Sequence, residues 1–165
     1  MRILGIDPGP YAHGAVIYDT DAGKVSWASK DASALDIHLE ILRHPIDYVL
    51  IERPAAMGTL GVGIIGHLLD TAWAAGELSE SFRALEIPQQ TMTRRQVLRS
   101  LGVMAGRGSA DSRVRAACIL DHQVPGGPSA IGKKSNPGPL YGVSSHAWQA
   151  LGMVLAWIEE NKRRT

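Results

Sequence analysis

Short apolar runs alternate with tight turns in the N-terminal part of the chain. Three of these runs are separated by a Pro-Gly turn and an Asp-Ala-Gly turn, a pattern that predicts an antiparallel three-stranded meander. The runs cover residues 2–7, 13–19 and 24–29. A helix is expected over residues 32–43, where Leu35, Leu39 and Leu42 recur at helical spacing. A fourth strand is expected over residues 47–52.

Helical patterns dominate the next part of the chain. A long helix is expected over residues 60–78. Its apolar stripe consists of Leu60, Ile64, Leu68 and Ala72. A short strand is expected over residues 82–87. Two more helices are expected over residues 93–101 and 109–122, and the Ser109 side chain has the chemistry to cap the second of them.

A long loop and a last helix complete the pattern. Residues 124–143 are rich in glycine and proline, and an irregular stretch of this length is usually either functional or disordered. Both interpretations stay open for it. The last helix is expected over residues 145–160, with Ser144 or Ser145 as its N-cap. Its inward side consists of Leu151, Leu155 and Ile158.

The order of these elements predicts an α/β fold. A β-α-β unit that follows the meander must run parallel with a right-handed crossover. If the fourth strand pairs in parallel with the first, Asp7 and Glu52, which end these strands, meet at the sheet edge where ligands bind in α/β folds. Two close carboxylates repel one another unless a cation such as Mg²⁺ joins them. Each acid taken alone is more simply explained as the solvated end of a strand.

Composition narrows the class of protein without deciding its function. The length suggests one domain over residues 1–165, and 45% hydrophobic with 20% charged residues is typical of a soluble globular protein. No apolar run is long enough to span a membrane, and the N-terminus resembles no export signal. Cys118 is the sole cysteine, which argues against an internal disulfide and a cysteine zinc site. We therefore expect a cytoplasmic protein without a membrane partner.

Charge is divided unevenly along the chain. Residues 1–90 contain 6 basic and 12 acidic residues, whereas residues 91–165 contain 11 basic and 4 acidic residues. An acidic half joined to an arginine-rich half fits a metal centre beside a phosphate-binding wall. It fits equally well a solvated surface with internal ion pairs.

Polar residues open the last helix, although the rest of that helix is apolar. His146 and Gln149 are three positions apart and therefore share one helix face. Taken alone, the pair is most simply explained by capping and solvation at the helix start. Together with Asp7 and Glu52, the same pair would complete a cluster of metal ligands.

Five segments, in the same order, resemble the RuvC family of Holliday-junction resolvases within the RNase H-like nuclease superfamily. The family's first strand and hairpin are similar to ILGIDPG and the following GAVI, and its fourth strand to YVLIERP. Its glycine-containing helix is similar to MGTLGVGIIGHLLDTAWAAGEL, its G-x-G-x-A-[DE]-K segment to GRGSADSRVRAACIL, and its closing helix to HAWQALGMVLAW. The resemblance implies an RNase H-like fold, in which helices flank a mixed five-stranded sheet of three antiparallel strands followed by parallel strands.

The resemblance implies a metal-dependent endonuclease that nicks four-way DNA junctions by phosphodiester hydrolysis. Two Mg²⁺ or Mn²⁺ ions per site are implied, with Asp7 joining both, Glu52 holding one, His146 the other and Gln149 in support. The family usually carries two acids on its closing helix, whereas this chain has His146 and Gln149. Only two carboxylates then supply negative charge, and the imidazole favours Mn²⁺ over Mg²⁺.

The resemblance also implies branched DNA as a partner and a homodimer, because a symmetric junction calls for two nicks. The basic residues expected to contact DNA are Arg94, Arg95, Arg107, Arg113, Lys133 and Lys134. The lysine of the family's G-x-G-x-A-[DE]-K segment is replaced by Ser112. The helix over residues 60–78 is the expected dimer interface, where close approach or a core position would each explain its Gly61, Gly63 and Gly66. The tryptophans expected to pack internally are Trp73, Trp148 and Trp157.

Two other hypotheses compete with the nuclease. A resolvase-like dimer that binds branched DNA but cuts it poorly or not at all would explain the uncharged Gln149 and Ser112. An actin-like phosphotransferase would need a second glycine-rich phosphate loop and an adenosine motif, and the sequence shows neither.

Overall fold

The computed structural model describes residues 1–55, 62–123 and 129–163, without the side chains of residues 62–64. Its main sheet has five strands in the order β3-β2-β1-β4-β5. These strands are β1 Arg2–Asp7, β2 His13–Asp19, β3 Lys24–Ala32, β4 Tyr48–Arg53 and β5 Gln89–Thr93. The helices are α1 Ala34–Arg43, α2 Val62–Ala84, α3 Arg94–Ser100, α4 Ala110–Asp121 and α5 Ala147–Lys162. The predicted α/β fold with a mixed sheet is confirmed.

Strand pairing brings the ends of β1 and β4 side by side. The first three strands pair antiparallel, as the short turns between them predict. β4 then pairs in parallel with β1, and β5 pairs in parallel with β4. The β1–β4 register matches Ile6 with Ile51, so the next position on each strand is Asp7 and Glu52. These two residues therefore share one edge of the sheet and one of its faces.

The sheet separates two hydrophobic cores. Side chains alternate between the two faces of a strand, so neighbouring residues of β1 enter different cores. Ile3 joins Leu50 and Met92 in a core covered by α3, α4 and α5. Leu4 joins Phe82 in a second core covered by α1 and the C-terminal half of α2. Asp7 and Glu52 are two positions beyond Gly5 and Leu50 on their strands, which puts both carboxylates on the α5 side.

Two glycines allow α5 to lie directly against the sheet. A Cβ atom on Gly5 would come within 2.6 Å of the Ala150 carbonyl oxygen. A Cβ atom on Gly14, the neighbour of Asp7 in the β1–β2 register, would come within 2.6 Å of the His146 Cβ atom. The missing side chains let the start of α5 reach the end of β1.

The fifth strand lies later in the chain than the predicted strand over residues 82–87. Residues 82–84 of that segment form the last part of α2 instead, because Phe82 is buried in the core against α1, and residues 85–87 form the turn after the helix. The helix then ends in a Schellman arrangement: Glu86 has φ 56°, its N–H donates to the Arg83 carbonyl, and the Ile87 N–H donates to the Phe82 carbonyl. The chain can enter β5 only after this turn.

The last helix and the loop before it also differ from expectation. Neither Ser144 nor Ser145 caps α5, which begins at Ala147 after His146 without a side-chain cap. Residues 124–128 of the predicted loop lie outside the described residues. The remainder is ordered by a small hairpin, β6 Gly132–Lys133 with β7 Asn136–Pro137. Ala130 and Leu140, on either side of this hairpin, are fully buried in the α5 core.

Apolar side chains on α1 and α2 are more exposed than their periodicity predicts. The α1 stripe faces outward, with Leu35 67% and Leu42 81% exposed, because Ile37 fills the core instead. The predicted α2 stripe is also incomplete: Leu60 and the Ile64 side chain lie outside the described part, Leu68 is half-buried and Ala72 is exposed. Apart from residues 56–61, 124–128 and 164–165, no helix is long and apolar enough to cross a membrane.

The three tryptophans divide between the interior and the surface. Trp148 is 4% exposed, and Trp157 packs against Tyr48 with ring centroids 4.8 Å apart, so the prediction of internal packing is confirmed for both. Trp73 was predicted to pack as well, but it is 72% exposed. The N-terminal half of α2, which carries Trp73, extends beyond the core that anchors its C-terminal half.

Candidate active site

Two buried carboxylates form the centre of the site. The side chains of Asp7 and Glu52 are only 18% and 14% exposed. Their positions follow from the parallel β1–β4 register, which brings both strand ends to one edge on the α5 side. Burial of a charged carboxylate is costly unless a cation or hydrogen-bond donors compensate it. The surrounding side chains therefore decide how these two acids are tolerated.

Helix α5 and the residue before it contribute two more polar side chains: His146 contacts this edge, and Gln149 lines the same pocket as His146. The His146 Nδ1 atom lies 3.3 Å from the Asp7 Oδ2 atom, which pairs the first predicted acid with the predicted histidine. Gln149 is 4% exposed, and its Oε1 atom has no hydrogen-bond partner among the described residues. Both side chains line a pocket of about 590 Å³, together with Ser112, Arg115 and Trp148. Buried polar atoms normally have a hydrogen-bond partner, so the Gln149 Oε1 atom is a candidate acceptor for a hydrogen-bond donor or a cation.

Arg94 supplies the positive charge next to Glu52. Its Nη1 atom lies 3.3 Å from the Glu52 Oε2 atom, and its Nη2 atom donates to Asp111 Oδ1. The Arg94 side chain is 17% exposed, so this contact is well shielded from solvent. Arg94 is the first residue of α3, and Asp111 lies in the first turn of α4.

Burial dominates the protonation of both acids. Desolvation raises the pKa of Glu52 to about 7, with the Arg94 guanidinium opposing this shift and repulsion from Asp7 adding to it. Desolvation also raises the pKa of Asp7, and attraction to Arg94 and His146 opposes the rise. The β1–β4 register makes the two acids neighbours, and the repulsion from Asp7 adds to the raised pKa of Glu52 for that reason.

The other predicted basic residues are distributed around the site and beyond it. Arg95, Arg107, Lys133 and Lys134 are all exposed. Arg113 is engaged elsewhere, because its guanidinium donates to the carbonyls of Val103, Met104 and Gly108 and so holds the loop before α4. The predicted cap of that helix is confirmed: Ser109 accepts a hydrogen bond from the Ser112 N–H.

Asp111 was not among the residues singled out from the sequence. Its signal is its place in the GRGSADS segment, at the acidic position of the G-x-G-x-A-[DE]-K pattern. Its partner Arg94 comes from a different helix, however, and no local pattern predicts that contact. Within residues 1–55, 62–123 and 129–163, no three His, Cys, Asp or Glu side chains form a ready-made metal site. Glu52 is neutralised by an arginine instead.

Solved structures give this architecture a counterpart. A chain described as T. thermophilus RuvC in complex with Holliday junction substrate matches with a TM-score of 0.63 and 17% identity, over 99% of this chain and 96% of that chain. A chain described as Thermus thermophilus RuvC matches with a TM-score of 0.54 and 19% identity, over 100% of this chain and 98% of that chain. No protein-family model and no curated protein matches the sequence. The resemblance predicted from the motifs is confirmed at the level of the fold, which is that of these RuvC structures.

Proposed function

We propose that this chain is a divalent-metal-dependent endonuclease that nicks four-way DNA junctions. The observation that carries the proposal is the buried pair Asp7 and Glu52 at adjacent strand ends. In support of it, Gln149 lines the same pocket as His146, and its buried Oε1 atom has no hydrogen-bond partner among the described residues. Such a group of oxygens is costly in an isolated protein and useful in one that binds cations. The similar RuvC chain with a bound Holliday junction supports the choice of DNA substrate.

The donor set fits Mg²⁺ or Mn²⁺. Asp7 and Glu52 offer carboxylate oxygens, Gln149 offers a carbonyl oxygen without a competing donor, and His146 offers a ring nitrogen beside Asp7. We propose that these four residues would hold two ions and that Asp7 would serve both. When bound, such ions would activate a water molecule and stabilise the leaving oxygen of the phosphodiester.

The chain's own cations would act on the DNA. Arg94 is close to both acids, so its guanidinium is the group best able to neutralise charge that develops on the cleaved phosphate. Arg95, Arg107, Lys133 and Lys134 are exposed and therefore free to contact the DNA backbone. Arg113, with its guanidinium on three loop carbonyls, would act on DNA only through the loop that it holds.

A homodimer would supply the two nicks that a symmetric junction needs. Supporting it, Ile65, Leu69 and Trp73 recur every four residues on α2 and are 42%, 64% and 72% exposed. Gly66 lies beside this stripe, and a Cβ atom there would have no atom of the described chain within 4 Å apart from its chain neighbours and the adjacent backbone of its own helix. A core role does not explain that glycine, whereas close approach of a second α2 helix does. The cytoplasmic location stays a prediction.

A binding protein that does not cut is the second candidate. Gln149 leaves the site with only two acidic ligands, and Arg94 already neutralises one of them. A protein of this kind would bind branched DNA through the same surface. The two candidates differ in a single measurable step, phosphodiester cleavage.

The first prediction concerns cleavage itself. In Mn²⁺, the wild-type protein should nick a synthetic four-way junction, and Asp7→Asn should lower the rate on the order of 100-fold or more, because the shared ligand loses its charge. Binding of the junction, measured by gel shift, should stay close to wild type. Asp31→Asn, at an exposed position on β3, is the matched control and should cut normally. Junction binding by wild type without any nicking would instead favour the binding protein.

The second prediction concerns pH and the free energy of unfolding. Glu52 has a pKa of about 7 in the folded protein against its usual 4.5. Between these values the folded protein keeps a proton that the unfolded chain releases, so metal-free stability falls as pH rises through this window. The loss attributable to Glu52 is about 3 kcal/mol and should be absent in Glu52→Gln.

Chemical denaturation of wild type and Glu52→Gln between pH 4.5 and 7.5 measures this difference. Saturating Mn²⁺ should reduce the wild-type loss, because a bound cation stabilises the ionised carboxylate. If the free energy of unfolding of the two metal-free proteins varied with pH in parallel, the pKa of Glu52 would not be raised in the folded protein.

The third prediction concerns Gln149. Gln149→Asp adds a charged oxygen where an unpartnered one now lies, so Mg²⁺ should bind about tenfold more tightly. Gln149→Leu removes the oxygen at similar volume and should weaken binding instead. Isothermal titration calorimetry with Mg²⁺ measures both changes. Equal affinities in all three proteins would place residue 149 outside the metal site.

The fourth prediction concerns the dimer. Leu69→Glu puts a charge into the proposed α2 interface and should give a monomer in sedimentation-velocity experiments. Leu42→Glu is the matched control, since Leu42 is also highly exposed but lies on α1, and this variant should stay dimeric. A dimer that tolerates Leu69→Glu would rule out this face of α2 as the interface.

A further inference from the structure

Arg94 is held between carboxylates from two separate elements. Its Nη1 atom lies 3.3 Å from Glu52 on β4, and its Nη2 atom donates to Asp111 on α4. The backbone beneath it is fixed by a capping box, in which Thr93 and Gln96 exchange hydrogen bonds at the start of α3. The guanidinium thus has two independent anchors that use different nitrogen atoms.

The two anchors differ in their surroundings. Glu52 is 14% exposed, whereas Asp111 is 64% exposed. A divalent cation that binds Glu52 would repel the nearby guanidinium, because like charges at short range in a shielded site interact strongly. Asp111 lines the pocket that His146 and Gln149 also line, and it accepts from Nη2 rather than Nη1, so it can retain Arg94 when Glu52 releases Nη1.

We propose that Arg94 is an exchangeable counterion: it neutralises Glu52 when the site lacks metal and turns to the DNA phosphate when a cation takes Glu52. Asp111 is the positioning residue of this exchange, since it retains the guanidinium at the site through Nη2 while Nη1 changes partner. The inference rests on the metal site proposed above. It adds the pair Arg94 and Asp111, which would link metal binding to the availability of the Arg94 guanidinium for the phosphate.

The balance of charge supports the exchange. Without metal, the Arg94 guanidinium lies 3.3 Å from the Glu52 carboxylate and offsets part of the charge of the two buried acids. A divalent cation would match the charge of the two carboxylates. Arg94 would then be surplus to the acids, and a phosphate group offers its guanidinium a geometrically suited partner. If the Arg94–Glu52 ion pair were only structural, Arg94 would stay on Glu52 when metal binds.

The test measures Mn²⁺ affinity of the DNA-free protein and junction cleavage at saturating Mn²⁺. Arg94→Gln removes the competing cation, so Mn²⁺ should bind about tenfold more tightly, while cleavage should slow by about 100-fold because the phosphate loses its partner. Asp111→Asn should do the opposite to binding, because Arg94 is then held by Glu52 alone, and it should also slow cleavage. Arg94→Lys should keep the competition but restore cleavage only in part.

Arg99→Gln is the matched control, because Arg99 is an exposed arginine on the same helix and the described structure gives its side chain no ion pair. It should change neither measurement. Unchanged or weaker Mn²⁺ binding by Arg94→Gln would overturn the exchange, as would tighter binding with normal cleavage. A wild-type protein that binds no Mn²⁺ would overturn the metal site itself and the exchange with it. Circular dichroism identifies any variant that fails to fold. If Arg94→Gln does not fold, Asp111→Asn tests the exchange instead, because it should weaken Mn²⁺ binding, and unchanged or tighter binding would overturn the proposal.

Discussion

The burial of two acidic side chains at one sheet edge is the constraint around which this molecule is organised. Asp7 and Glu52 are in-register neighbours on parallel strands, so they cannot move apart without breaking the sheet. Each is shielded from water, and the pKa of Glu52 reaches about 7 as a consequence. Everything nearby supplies partial compensation: an imidazole for Asp7 and a guanidinium for Glu52. This need for compensation is the basis of the proposal that the site binds cations.

Close approach of backbone segments brings these compensating groups to the two acids. Gly5 and Gly14 leave space for α5 to lie directly on β1 and β2. His146 then reaches Asp7 from the helix start, and Gln149 is buried one turn later with its oxygen unpartnered. On the other side, the parallel β4–β5 pair ends where α3 begins, which puts Arg94 within reach of Glu52. Helix and sheet thus fix the site from opposite sides.

Much of this arrangement could be predicted from the sequence because it follows from local rules. Apolar runs that end on Asp7 and Glu52, with a parallel crossover between them, are sufficient to predict adjacent carboxylates. Motif order was sufficient to identify the fold, and the cap at Ser109 follows from its side chain. These features depend on residues close in the chain or on the handedness of a single connection.

The features that the sequence did not predict depend on tertiary packing between elements that are distant in the chain. The spacing of Leu35, Leu39 and Leu42 indicated a buried stripe. In the structure Ile37 packs in the core, and those three leucines are exposed. Helix α2 extends to Ala84, three residues into the predicted strand, because Phe82 packs in the core. The Arg94–Asp111 contact joins two helices whose relative placement no periodicity encodes.

That unforeseen contact changes how the missing acid on α5 is understood. An uncharged Gln149 reduces the negative charge available to cations, which taken alone argues for a weakened site. Arg94 reduces it further while it remains on Glu52. Asp111 offers the guanidinium an alternative partner outside the carboxylate pair, so the arginine need not stay a permanent competitor. A site with two acidic ligands can therefore remain functional if its internal cation has somewhere else to go, and in the proposed mechanism that destination is the DNA phosphate.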